Sequence, residues 1–164
     1  MFQKRLTKDQ ALQKLRHYCS YQERSHTEAK EKLYGFGLYK KEVEECLAQL
    51  IEENYLNEER FAIAYAGGKF RMRQWGRIKI RQALKEKRIS DYCIQISLKE
   101  IDDQIYMSTL RKLALAKWKT LEEEKNIFIK QRKTQDYLLQ KGYEHDLVAG
   151  ELKKLKAGNF QATA

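Results

Sequence analysis

The chain has 164 residues, 42% of them hydrophobic and 34% charged, with a formal net charge of +10, eight Gly and no Pro. That apolar content can bury a core, while the scarcity of turn-forming residues excludes an all-β chain and predicts long helices. No apolar run approaches the roughly 20 residues that span a bilayer, and MFQKRLTKDQ at the start lacks the apolar stretch of a secretory signal, so a soluble, cytoplasmic protein is expected.

Thr7 with Gln10 and Ser25 with Glu28 have the spacing of reciprocal helix caps, which predicts helix starts at about residues 8 and 26. The first helix runs to about 22 with Ala11, Leu12, Leu15, Tyr18 and Cys19 facing inward. The second ends near Gly35 and Gly37, where a left-handed residue is sterically cheap. A third carries Val43, Leu47 and Leu50.

The pattern then recurs, first 51 and then 54 residues further on. Leu33, Leu84 and Leu138 correspond, as do Leu38, Ile89 and Tyr143, and the last helix repeats as Val43, Ile94, Val148, then Leu47, Leu98, Leu152, then Leu50, Ile101, Leu155. Such periodicity predicts an all-α, elongated tandem array of three three-helix repeats. Asn57 and Asp102 are placed to cap the helices opening the second and third copies. The expected divisions are 1–56, 57–101 and 102–156, with 157–164 a flexible tail.

In the middle copy the small residues Ala62, Ala66, Gly67 and Gly68 would let another helix approach, and a further helix is expected over about 77–87. In the third, a long helix carries Met107, Leu110, Leu113, Ala114 and Trp118 and leads to Glu122, Glu123, Glu124 and Lys125, which read as helix or joint.

Charge is unevenly spread: +1 for residues 1–56, +6 for 57–101 and +3 for 102–164. Residues 69–88, KFRMRQWGRIKIRQALKEKR, hold nine Lys or Arg against the single acid Glu86. Helical spacing puts Ile80, Ala83 and Leu84 on one face and Arg77, Arg81, Lys85 and Arg88 on the adjacent arc. Lys69, Arg71, Arg73 and Lys79 extend the positive surface around Trp75. A polyanion is the partner such density points to, although cations whose stems merely cover a core edge give the same pattern. Phe70 is assigned to the core; Trp75, beside a predicted turn, is open between packing and base stacking.

Chemistry is sparse. The histidines His17, His26 and His145 have no metal-ligand spacing, and Cys19, Cys46 and Cys93 form no pair that indicates zinc or a disulfide framework. Asp102 and Asp103 read as complements to a helix dipole. No phosphate-binding loop is present, so no enzyme, cofactor or metal is expected.

The residues Ser25-His26-Thr27-Glu28 with Leu33 and Gly37, Tyr55 to Ala62, Gly76-Arg77-Ile78-Lys79-Ile80 with Leu84, and Leu138 with Lys141-Gly142-Tyr143 resemble the RecX family, regulators of the RecA recombinase. The resemblance covers about residues 8 to 156. Two positions depart from it: Asn57-Glu58 stands where the family has a pair of aspartates, and Arg88 stands at a usual glycine, which argues against a left-handed residue there. What the resemblance implies is an elongated protein lying in the groove of the RecA filament on DNA, inhibiting ATP hydrolysis and strand exchange by binding; a monomer is expected. Its partners would be RecA and single-stranded DNA, with double-stranded DNA a second option and no membrane. Two other readings are a helical DNA-binding protein acting without RecA and an adaptor for an acidic protein surface.

Overall fold

The computed structural model describes residues 4–158, and among them nine α-helices and no strand. The first copy comprises α1 Lys8–Tyr21, α2 His26–Gly35 and α3 Lys40–Glu52. The second has α4 Glu58–Arg73, α5 Arg77–Glu86 and α6 Asp91–Lys99, and the third α7 Asp103–Thr120, α8 Ile127–Gln140 and α9 His145–Lys156. Residues 159–164 of the expected tail lie outside the described residues. The acidic stretch at 122–124 lies outside the helices, with 121–123 in a turn, and Asn126 after it caps α8.

The predicted caps form. The Thr7 hydroxyl accepts from Gln10 N–H at 3.2 Å while the Gln10 amide oxygen accepts from Thr7 N–H at 3.0 Å, and Ser25 with Glu28 repeats the exchange. Asn57 accepts from Arg60 N–H at 2.9 Å and Asp102 from Ile105 N–H at 3.0 Å. Each satisfies a backbone donor that no helical carbonyl reaches.

The repeat also has a backbone basis in the end of each copy's middle helix. Gly37, Arg88 and Gly142, spaced 51 and 54 residues apart, all have positive φ, at 85°, 61° and 97°. Arg88 N–H donates to Lys85 O and Ile89 N–H to Leu84 O; Gly142 and Tyr143 do the same to Leu139 and Leu138. These are paired bonds of a Schellman ending, in which the residue after the left-handed one packs back on the last turn. The recurring Leu and its apolar partner five residues later are the two sides of that contact. Arg88 therefore adopts the left-handed conformation that its side chain argues against, because the two terminal bonds and buried Ile89 outweigh a cost of about 1 to 2 kcal/mol.

In the first copy, Arg5 pairs with Glu42, Lys8 with Glu45 and Arg16 with Glu53, at 2.6, 2.9 and 2.9 Å. A constant offset of 37 residues means that α1 and α3 run parallel, with α2 returning between them. Ala11, Leu12, Leu15, Leu33, Val43 and Leu50 are buried in this copy, while Tyr18 and Leu47 are half-buried against them. The buried position next to Leu47 is Cys46; its counterparts are Ser97 and Glu151, so one interior site holds a thiol, a hydroxyl and a carboxylate. Ser97 donates to Ile94 O at 2.7 Å, and Glu151 meets Arg111 at 3.2 Å and Lys154 at 3.4 Å, which is how each polar version is tolerated.

Two compact units divide the contacts. The first takes the described residues up to Tyr65 together with Leu84–Ser97; the second takes Ala66–Ala83 together with the described residues from Leu98 onward. The second unit is organised around three rings: Tyr106 lies 5.7 Å from Phe70 and 5.2 Å from Tyr143, centroid to centroid. Phe70 is buried as expected. On α7, however, the inward residue is Tyr106, and Met107 is only half-buried. Gly67 and Gly68 do not make way for a helix either: Gly68 has open space, and Gly67 leaves room for the Arg71 guanidinium, 2.7 Å from where a Cβ would stand.

Candidate nucleic-acid interface

The basic window begins at the end of α4, whose last turns carry Lys69, Arg71 and Arg73. Gln74, at φ 56°, turns the chain, and Gly76 brings it against the turn at 141–143. Gly76 N–H donates to Lys141 O at 2.7 Å and Ile78 N–H to Gly142 O at 3.0 Å. A Cβ on Gly76 would stand 2.3 Å from the Gly142 carbonyl, and one on Gly142 would stand 2.3 Å from the Lys79 Cβ, so Gly76 is required by the backbone at 142 and Gly142 by Lys79 and its own positive φ. Side chains reinforce the junction: Tyr143 O–H donates to Gln74 O at 2.9 Å, Lys141 Nζ to Arg73 O at 3.0 Å and Lys79 Nζ to Gln140 O at 3.4 Å.

Arg77 belongs to the same junction. Its guanidinium lies over the Tyr106 ring, 3.8 Å from the centroid, and pairs with Asp103 at 2.5 Å and Glu144 at 3.3 Å. Its backbone N–H donates to the Tyr106 hydroxyl, which in turn donates to Glu144. Burial, followed by that carboxylate, pushes the Tyr106 hydroxyl well above the ordinary phenol range; burial does the same to Tyr143. The charge of Arg77 is thus already answered within the unit.

The remaining predicted cations behave differently. Arg71, Arg73 and Arg81 in the second unit, and Lys85 and Arg88 in the first, are exposed, and among the described residues none has an ion-pair partner. Trp75 is half-buried, with Lys69 Nζ 5.0 Å and Lys79 Nζ 4.8 Å from its ring centroid. Trp75 thus packs within the second unit and meets two of its cations. Met72, 85% exposed, and Ile78 add apolar tips on the second unit. This set can neutralise phosphates or carboxylates. Among the described residues no group of three or more His, Cys, Asp or Glu is arranged to hold a metal, and no helix is long and apolar enough to cross a membrane.

Sequence reasoning missed Tyr106 and Glu144, and named Lys141 as part of a motif without its contact. Tyr106 was legible, since it lies four residues before Leu110 on the same helical face. Glu144 and Lys141 were not, because their roles depend on which turn meets which. Asp102 keeps the capping role assigned to it, and Asp103 adds the pair with Arg77.

Residues 57–98 match the model of the second three-helix domain of RecX, and residues 104–149 that of the third. The chain belongs to the RecX family. Among relatives, a regulatory protein RecX of Bacillus mycoides (strain KBAB4) is 29% identical over 140 residues, which are 85% of this chain and 51% of that protein. One from Clostridium perfringens (strain 13 / Type A) is 31% identical over 138 residues, 84% of this chain and 64% of the relative. The chain thus spans about half to just under two thirds of the length of these RecX relatives. The crystal structure of RecX from Lactobacillus salivarius has the same fold, with a TM-score of 0.82 at 22% identity over 92% of this chain and 97% of that one. A second RecX crystal structure gives 0.80 at 23% identity, covering 90% and 71%. Two of the motifs that carry the RecX resemblance, Gly76 to Ile80 and Lys141 to Tyr143, are the two sides of the junction described above.

Proposed function

We propose that this chain regulates recombination by binding the RecA–DNA filament, restraining ATP hydrolysis and strand exchange without chemistry of its own. Membership of the RecX family supports the regulatory class. The observation that carries the binding mode is the set of five exposed cations, Arg71, Arg73, Arg81, Lys85 and Arg88, left without acidic partners among the described residues. They are available to DNA phosphates or to acidic side chains of the filament. Each phosphate contact made on a single strand would add about −0.7 to the slope of log affinity against log salt.

A sequence-specific DNA-binding protein acting without RecA is the competing reading. It would use a recognition helix whose N-terminal residues reach base edges. The basic helix α5 is poorly suited to that role, because its start, Gly76 to Ile78, is held against the 141–143 turn and Arg77 is engaged by Asp103 and Glu144. The test is ATP turnover by RecA on single-stranded DNA, titrated with this protein while filament assembly is followed independently. Turnover is expected to fall as the protein saturates the filament. Unchanged turnover on intact filaments, together with a sharp motif selected from random duplexes, would favour the competing reading instead.

A further inference from the structure

The first unit carries a second cationic surface, well outside the 69–88 window. Between α1 and α2 lies an open groove of about 660 Å³, lined in part by Lys14, Tyr18, Tyr21, Arg24, Lys32 and Phe36, with no carboxylate among its lining residues. Arg24 is fixed: its guanidinium lies 3.7 Å from the Tyr18 ring centroid and its Nε donates to Tyr18 O at 3.1 Å. Lys32 reaches both the Tyr18 and Phe36 rings, at 5.2 and 5.9 Å, and Lys14 lies 5.9 Å from Phe36. Tyr21, at the last position of α1, is 81% exposed. Glu28 and Glu31 border the far side of Lys32, and Glu28 is engaged by Lys87 at 3.2 Å.

We infer that this groove binds unpaired nucleotides of a single strand, with Tyr21 and the outer face of Arg24 as stacking platforms and Lys14 and Lys32 meeting the phosphates. Rings interleaved with cations are the usual construction of sequence-tolerant single-strand sites, and a guanidinium already stacked on a ring presents a flat face to the next base. An acidic peptide fits less well. It would use the same cations but leave the flat guanidinium face of Arg24 without a stacking partner. The inference concerns the protein alone and stands apart from its action on RecA.

The experiment is fluorescence anisotropy with a labelled oligo-dT and a duplex of equal length, without RecA. Tyr21→Ala, at an exposed position, should weaken oligo-dT binding about 10-fold and duplex binding by less than about 2-fold, while Tyr21→Phe retains both. Lys14→Gln with Lys32→Gln should make the oligo-dT salt slope shallower by about 1.4. Circular dichroism of each variant establishes that it is folded. Wild-type oligo-dT affinity in Tyr21→Ala, or equal losses on single strand and duplex, overturns the inference. So does a double Gln variant that keeps its oligo-dT slope but loses binding to a polyglutamate peptide.

Discussion

Replacing Arg77 separates a cation that holds the fold from one that meets a ligand. Arg77→Ala removes a pair with Asp103, which is 90% exposed and contributes little, and a pair with Glu144, whose side chain is 25% exposed. It also removes the guanidinium from the buried Tyr106 ring, a contact worth about 1 to 2 kcal/mol when desolvated. Adding about 1 kcal/mol for the Glu144 pair gives a loss of about 2 to 3 kcal/mol. For a chain of this length that corresponds to a fall of about 5 to 10 °C in Tm. Both tryptophans, Trp75 and Trp118, lie in the second unit, so their emission during urea or thermal unfolding reports on the unit that contains Arg77. Arg81→Ala is the control: exposed and unpaired, it should stay within about 0.5 kcal/mol of the parent and make the salt slope of DNA binding shallower by about 0.7 to 0.9. An Arg77→Ala protein with parental stability and a shallower salt slope would refute the structural role assigned to Arg77.

Three further outcomes are expected. Gly76→Ala places a Cβ 2.3 Å from the Gly142 carbonyl and disturbs two backbone bonds, so it should cost about 3 to 5 kcal/mol, read from the same tryptophan transition. Arg88→Gly relieves a left-handed residue and, after the greater chain entropy of glycine is set against that, should stabilise by about 0.5 to 1 kcal/mol in a thermal melt. Glu53, hydrogen-bonded first by Arg16 and then by Gln49, has its carboxyl lowered from 4.5 to about 2. Its stabilising contribution is present above pH 4.5 and lost as pH falls through about 2, so Glu53→Gln should flatten the acid limb of urea midpoint against pH over that window.

Local signals were read well because their physics is local. A short side-chain oxygen just before a helix accepts from a backbone N–H three residues on, an exchange within one turn, which is why Thr7, Ser25, Asn57 and Asp102 were legible. The repeat was legible because Leu33, Leu84 and Leu138 occupy the same helical turn before the same left-handed residue. What escaped was pairing between distant segments. Nothing in the spelling of Gly76-Arg77 says that its neighbours will be Lys141, Gly142 and Glu144, and so Arg77 was grouped with Arg81 by helical arc alone. The exposed cations were legible as a density of charge; which of them lack an acid nearby required the tertiary arrangement.

The close meeting of Gly76 with Gly142 bears on how kinship should be interpreted in chains of this kind. Two of the spellings that betray the relationship are the two halves of one internal fastening, and neither glycine offers a side chain to anything else. Their presence vouches for architecture and is silent about activity. A sequence could retain both and have lost every binding partner, or could change its clientele without altering either. Differences in behaviour between relatives should therefore be sought in the unmotivated letters between the signatures, where Arg71, Arg81 and Tyr21 stand.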